Sequence, residues 1–476
     1  MAIRLFNTLT KKIEDLIPIN NSHINLFVCG QTVYDDMHLG HAKTYANFAM
    51  IVRWLRLSGY DVRYIQNITD VDDKIINRAR ELGISEKELV NKYETRFFED
   101  VEKLGIKNDV DAYLRSHDYI DAIKDQIQTL LNKNFAYYLD GDIYFDVDKF
   151  EDYTLLSGMK LNDLGVHRIE PKAGKKNTYD FALWKSAKEN EPKWNIELNI
   201  NGKGLMLSGR PGWHIEDTAM TFKEFGPQYD IHGGASELIF PHHTNEIAQA
   251  EAASGLKPFV KYWMHSGVLF INNEKMSKSL KNFIRVREVL EKYDYEALRL
   301  LISSTHYRKA IDYNEGLIEE SKQKLNYMYS VLNLFYNLKN TSSIQNNEIN
   351  KHIENFKLEF VNAMNNDFNS PLALSSLMTL INYLKEYCKM YGEIGDKAKE
   401  NAINEILKLS NVLGILENNK YKKNITDETL DLIKKREEAR KSKDFIKADE
   451  LRKIINEKNI EIEDTEKGTI WYFKFI

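Results

Sequence analysis

The sequence predicts an α/β protein: a parallel-sheet domain carrying an inserted α+β segment, followed by an all-α half. Three observations lead there. Apolar runs alternate with helix-period stretches over the first third, the alternation resumes after about residue 205, and only long helical patterns remain beyond about 290. A chain of 476 residues exceeds one core, so two to four domains are expected. At 43% apolar and 29% charged it has a globular composition, and no apolar run approaches the roughly 18 residues that span a bilayer. The start, "MAIRLFNTLTKKIEDLIP", lacks an export signal, and Cys29 and Cys388 are too few for a disulfide framework. A cytoplasmic location without membrane contact is therefore expected. A net charge of −5 gives no sign of a nucleic-acid partner but excludes none, because a local basic face is enough.

The elements follow in order. "INLFVCG" (24–30) reads as a buried strand and "DVRYIQNIT" (61–69) as another. Between them Ala42, Ala46, Ala49, Val52 and Leu55 recur at helical spacing, which completes a βαβ unit with parallel strands. Residues 116–205 are less regular and read as the insertion, with "GDIYFDV" (141–147) alternating like a half-exposed strand. Strands are expected again at "YDIHGG" (229–234) and "WMHSGVLFI" (263–271), with a helix from about His242 to Ser254 between them. After 290 no strand is expected. Ser370 as cap and Pro371 at the first helical position mark one helix start, while "TSSIQNN" (341–347) and "ENNKYKK" (417–423) read as linkers.

Three stretches carry chemistry. In "CGQTVYDDMHLGHAKTY" (29–45), His38, Gly40 and His41 fall where a strand turns into a helix. There, backbone N–H groups and the helix dipole favour phosphate, although "HxGH" alone is more often two solvated histidines. In "EKMSKSLKN" (274–282), Lys275 and Lys278 could neutralise a polyphosphate leaving group, although an ordinary surface loop is the usual meaning of such a run. In "FPHHTNE" (240–246), His242 and Glu246 are four residues apart and share a helix face, as a metal pair would. His243 would point about 100° away. Asp72 and Asp73 are not read as an acid/base pair; the second is expected to pair with Lys74.

Taken together, "HLGH" after the first strand and "KMSKS" after a late one resemble the class I aminoacyl-tRNA synthetases. "FNTLTKK", "NITDVDDKI", "DFALWK", "GRPGWHIE", "DIHGGASELIFPHHTNEIAQAEA" and the tail "RKSKDFIKADELRKIINEKNIEIEDTEKGTIW" narrow the resemblance to cysteinyl-tRNA synthetases, over essentially the whole chain. The resemblance implies a Rossmann-type catalytic domain over 1–310, with its insertion at 116–205 and its KMSKS loop at 275–279. A helical bundle over 311–419 and a small anticodon-binding module over 420–476 would follow. It implies activation of L-cysteine by ATP with Mg²⁺, transfer to the 3′-terminal adenosine of tRNA(Cys), and a monomer. His38, Gly40, His41, Lys275 and Lys278 would serve the ATP phosphates and the transition state. Gly30, Thr32, Thr69 and Trp213 would line the cysteine pocket, and Arg440, Phe445, Asp449 and Asp464 would meet the anticodon. Residues 420–458 carry thirteen Lys/Arg against nine Asp/Glu, a local surplus of four.

The family holds one zinc ion, which by resemblance would fall to Cys29, Asp217, His242 and Glu246. The chain departs from the pattern at Asp217, where the family has cysteine. Three readings stay open: a carboxylate ligand with a bond about 0.2 Å shorter than a thiolate's, a metal-free pocket, or a different divalent ion. Two other activities compete with the synthetase. A cysteine-activating ligase of amino-sugar thiol biosynthesis would lack the anticodon module, and a metal-dependent hydrolase on His242 and Glu246 would have no use for "KMSKS". A catalytically dead tRNA-binding paralogue is disfavoured by the intact motifs.

Overall fold

The computed structural model describes residues 2–159, 172–276, 282–341, 347–466 and 468–475. It forms two compact units, one of residues 2–290 with 307–311, the other of residues 291–306 with 312–476.

The first unit is built on β1 (His23–Thr32), α1 (Leu39–Leu57), β2 (Asp61–Thr69), α2 (Asp73–Leu82), α3 (Glu86–Lys103) and β3 (Ala112–Arg115). The insertion follows: α4 (Ile120–Asn132), β4 (Ala136–Leu139), β5 (Asp142–Phe145), β6 (Phe181–Ser186), β7 (Trp194–Ile200) and β8 (Lys203–Pro211). Then come α5 (Trp213–Phe225), β9 (Tyr229–Ala235), α6 (Thr244–Ser254) and β10 (Val260–Ser266). The central sheet runs β10-β9-β1-β2-β3, with every pair parallel. Connections leave β1 toward β2 on one side, while β9 lies on its other side. The crevice beyond the C-terminal ends of β1 and β9 is therefore the switch point, where a doubly wound sheet binds its ligands.

Helix α1 is buried on nearly all sides, and the five residues that predicted it, Ala42 through Leu55, are at most 3% exposed. Its close seat depends on Gly233, where a Cβ would come within 2.3 Å of the Phe48 ring. The insertion is an antiparallel sheet, β4-β5-β6-β8-β7, whose last strand runs six residues past the expected end at 205. The run 263–271, expected as one strand, divides into β10 and a short ribbon of Leu269–Ile271 with Glu274–Lys275.

The second unit is helical: α7 (Tyr295–Ser303), α8 (Glu315–Tyr336), α9 (Asn347–Asn365), α10 (Ser370–Tyr391), α11 (Asp396–Leu413), α12 (Asp427–Lys441) and α13 (Phe445–Glu457). The N-cap of α10 is Asn369, one residue before the expected Ser370. Of the expected linkers, 417–423 joins α11 to α12 without helix, and most of 341–347 lies outside the described residues. The expectation of no strand after 290 is corrected by a C-terminal hairpin, β11 (Ile460–Thr465) paired with β12 (Gly468–Phe473). An isolated hairpin is marginal in water. This one is held because Ile460 and Ile462 pack with Ile433 and Ile455 under Trp471 and Phe473, at about 1.5–3 kcal/mol per buried isoleucine. Asn333 of α8 also accepts the Phe473 N–H at 3.0 Å.

Candidate active site and metal centre

A bulge aims the first ligand. The register of β1 against β2 shifts between Val28 and Gln31, and Gly30 lies so close to β2 that a Cβ would sit 1.7 Å from the Asn67 carbonyl oxygen. Bulges of this kind re-aim side chains, and here Cys29 is turned into a buried cluster. Its Sγ is 3.4 Å from Asp217 Oδ2, 3.3 Å from His232 Nε2 and 3.1 Å from His243 Nε2. His242 Nε2 lies 3.1 Å from Asp217 Oδ2 and 3.0 Å from Glu246 Oε1, while His232 Nε2 is 3.5 Å from Glu246 Oε2.

Two overlapping donor sets result, each with its ligand atoms within 4.8 Å of one another: Cys29, Asp217, His242, Glu246 and Cys29, His232, His243, Glu246. The structure thus brings together the four residues expected from sequence and adds two. The expectation that His243 turns away is corrected. It assumed a regular helix, but residues 239–243 form a wide turn with Phe240 in extended backbone, and α6 begins only at Thr244. Gly234 makes the room, since a Cβ there would meet the His243 ring at 2.8 Å.

The residues fit a cation. Both oxygens of the fully buried Glu246 lack a hydrogen bond among the described residues. Burial, with Asp217 beside it, pushes the Glu246 carboxyl well up; burial, with Asp217 and Glu246, does the same to the Cys29 thiol. Burial holds His232 and His243 neutral, so they keep a lone pair to offer. Three acidic groups and neutral imidazoles in a dry pocket are what a divalent ion would satisfy. Four of the six donors are also oriented from behind, as metal ligands usually are. Asn67 Nδ2 donates to Asp217 Oδ1 at 2.7 Å, leaving Oδ2 to face the cluster. His242 Nδ1 meets His214 Nδ1 at 2.8 Å, and Trp213 stacks on its ring at 4.0 Å. His232 is held by Tyr229 at 2.6 Å, and His243 by His265, which in turn meets Thr8.

A cavity of about 390 Å³ opens over the cluster. Cys29, Gly30, Thr32 and Trp213 line it beside His38, Gly40, His41 and Lys74, whereas Thr69 stands behind, its hydroxyl accepting from Asn67. His38 caps α1: its Nδ1 accepts the N–H groups of Gly40 at 3.1 Å and His41 at 3.3 Å. Those two N–H groups are therefore engaged by His38 itself. With Nδ1 accepting, the His38 ring proton falls on Nε2. His41 stacks on His38 at 3.7 Å; burial keeps it neutral, and its Nδ1 has no partner among the described residues.

Asp73 does not pair with Lys74. It accepts from Lys185 at 2.8 Å and Arg210 at 2.5 Å, Asp72 caps α2, and the Lys74 ammonium lies over the Tyr34 and Trp213 rings. Lys275 stands in the short ribbon, and Lys278 lies outside the described residues.

In the second unit Phe445 opens α13 with 60% of its surface exposed, and Asp449 is exposed on the same helix. Arg440 and Arg436 both pair with Asp464. Trp471 packs on the hairpin core.

Sequence reasoning missed His232, His214 and Asn67. The only local signal for His232 was a histidine before two glycines at a strand end.

Comparison with known proteins places this geometry. Residues 15–323 match the family model for the class I tRNA synthetase (C) catalytic domain, and residues 359–417 match that for the DALR domain. Among curated proteins, the chain is 41% identical to a cysteine–tRNA ligase of Thermodesulfovibrio yellowstonii, covering 99% of this chain and all of that one. It is also 41% identical to one of Thermococcus onnurineus, covering 99% of each. Among solved structures, it is similar to Mycobacterium tuberculosis methionyl-tRNA synthetase in complex with methionyl-adenylate (TM-score 0.58, 15% identity, 82% of this chain and 89% of that one). It is also similar to Agrobacterium radiobacter LeuRS in a ternary complex (TM-score 0.60, 10% identity, 84% and 85%). At such identities these two speak for the fold alone.

Proposed function

This chain belongs to the cysteine–tRNA ligases of the class I synthetase family, and from that we propose how its own residues carry the reaction. The enzyme joins cysteine to tRNA in two steps. A carboxylate oxygen of cysteine attacks the α-phosphorus of ATP and pyrophosphate leaves; then the 3′-terminal hydroxyl of tRNA attacks the adenylate carbonyl and AMP leaves. No protein nucleophile is needed, so positioning and charge stabilisation carry the rate.

The buried cluster would hold one zinc ion on Cys29, Asp217, His242 and Glu246. The observation that carries this reading is the fully buried Glu246, whose two oxygens lack a hydrogen bond among the described residues and face Asp217, His242 and Cys29. When bound, zinc would take the substrate sulfur as its thiolate, which sets cysteine apart from serine, alanine and valine more sharply than an apolar pocket can. Trp213 and Thr32 would wall the short side chain. His38 would donate from Nε2 to a phosphate oxygen, and His41 would offer its unpartnered nitrogen beside it. Lys275 and Lys278 would stabilise the leaving pyrophosphate, and Mg²⁺ would arrive with ATP. At the far unit, exposed Phe445 would stack on an anticodon base, with Asp449 and the Arg440–Asp464 pair supplying base-edge contacts. No helix among the described residues is long and apolar enough to cross a membrane; a cytoplasmic monomer is what the family resemblance implies.

The test is ATP–pyrophosphate exchange driven by cysteine, with serine and valine as competitors. Exchange specific for cysteine, and charging of tRNA(Cys), are expected. Exchange driven equally by serine would overturn the pocket assignment.

A further inference from the structure

The turn that carries His38 is fastened from outside the cavity. Phe283 to Val286, the described residues that follow the KMSKS segment, run antiparallel to Met37–Leu39. Ile284 O accepts the Leu39 N–H at 3.2 Å, and Met37 O accepts the Val286 N–H at 2.9 Å. Phe283 meets the His38 ring edge-on at 5.0 Å.

Behind them stands a charge cluster the reaction does not use directly. Asp36, two residues before His38 and 7% exposed, faces three guanidinium groups. Arg96 of α3 donates to both of its oxygens, at 2.5 and 2.8 Å. Arg285 Nε is 3.2 Å from Oδ2, and Arg287 Nε is 3.5 Å from Oδ1. Arg287 also donates to the buried Asp100 at 3.0 Å, and Arg285 to Glu288 at 2.9 Å. Asp36 thus joins α3, the 283–287 segment and the histidine turn. A buried charge with three cationic neighbours is locked in place more firmly than an exposed pair.

We propose that Asp36 is a positioning residue for adenylate formation: with Arg96, Arg285 and Arg287 it clasps segment 283–287 to the turn and so fixes where the His38 ring meets the ATP phosphates. The proposal rests on the reading of His38 as a phosphate-binding group. It places no demand on the cysteine pocket, whose residues lie on β1, β2, α5, the 239–243 turn and α6.

The experiment is a double-mutant cycle on the full chain, read by cysteine-dependent pyrophosphate exchange with thermal unfolding alongside. Asp36→Asn should lower kcat about 10- to 100-fold, as expected when a reacting group shifts by a fraction of an ångström, with KM for cysteine nearly unchanged. Arg285→Gln, whose side chain is 39% exposed and so tolerates change, should lower kcat in the same way by a smaller factor. Asp36→Glu should recover part of the loss. In a His38→Ala background either substitution should cost less than about two-fold more. If the full factor recurs in that background, or if kcat stays at the wild-type value, the clasp is overturned. Should Asp36→Asn fail to fold, Arg285→Gln decides by the same two criteria. His38→Ala exchanging at the wild-type rate would instead sink the reading of His38, and the purpose of the clasp with it.

Discussion

Asp217 divides its two oxygens between two tasks: Oδ1 accepts from Asn67, and Oδ2 faces Cys29 and His242. A carboxylate held in this way offers one oxygen to a metal, with its direction fixed from behind. Asn67→Ala leaves all four donors in place yet should weaken metal binding about 10- to 100-fold, read by competition with a chelator; unchanged affinity would mean that Asp217 does not ligate. Asp217→Cys should keep the metal and Asp217→Ala should lose it. Elsewhere a single buried group sets a pH dependence. Lys43 donates to Ser266, Gly267 O and Tyr307 O with no carboxylate beside it, and burial pushes its ammonium down to about 7. In the unfolded chain lysine titrates near about 10.4. Between those values the unfolded state binds the extra proton, so stability rises with pH, by at most about 1.4 kcal/mol per unit, and the slope vanishes below 7. Denaturant midpoints at pH 7 and 9 should therefore diverge between the wild type and Lys43→Met, the wild type gaining; parallel behaviour would contradict the burial account.

At the scale of elements, the site depends on places where regular structure breaks. The bulge around Gly30 turns Cys29 inward, and the wide turn at 239–243 brings both histidines to the cluster. Gly30→Ala puts a methyl group against backbone that cannot yield, and should destabilise the first unit by about 3 kcal/mol or more, seen as a lower unfolding midpoint with loss of exchange. A folded, active Gly30→Ala protein would show that β1 and β2 can part. The same breaks mark where the sequence was legible. β1, α1, β2 and β9 were readable because their apolar periods are long and consistent. His243 was misplaced because helical periodicity was extended through a turn that does not keep it. The C-terminal hairpin was missed because Ile460 and Ile462 alternate over too few residues to stand out beside two charged helices. His232 and Asn67 were invisible because their partners come from elements far away in the chain.

At the scale of the molecule, the proposed chemistry and the proposed recognition fall in different units. The cluster, the cavity above it and the clasp all belong to the first unit, and the exposed Phe445 belongs to the second. Phe445→Ala should cost about 1–3 kcal/mol, or roughly 5- to 150-fold, in kcat/KM for tRNA charging while leaving pyrophosphate exchange untouched. Equal losses in both assays would place Phe445 in the catalytic machinery or in the core. The order of motifs made the two-part organisation and the family readable, whereas Asp217 could be read only as a departure until its neighbours were seen. With aspartate at this position, the chain is still expected to select its substrate through a metal. The direct measurement is zinc content together with cysteine-dependent exchange, before and after stripping with a strong chelator and after restoring zinc. One zinc per chain, collapse of exchange on stripping and its return with zinc is the predicted result. Exchange that persists in metal-free protein at the full rate, still rejecting serine, would contradict it.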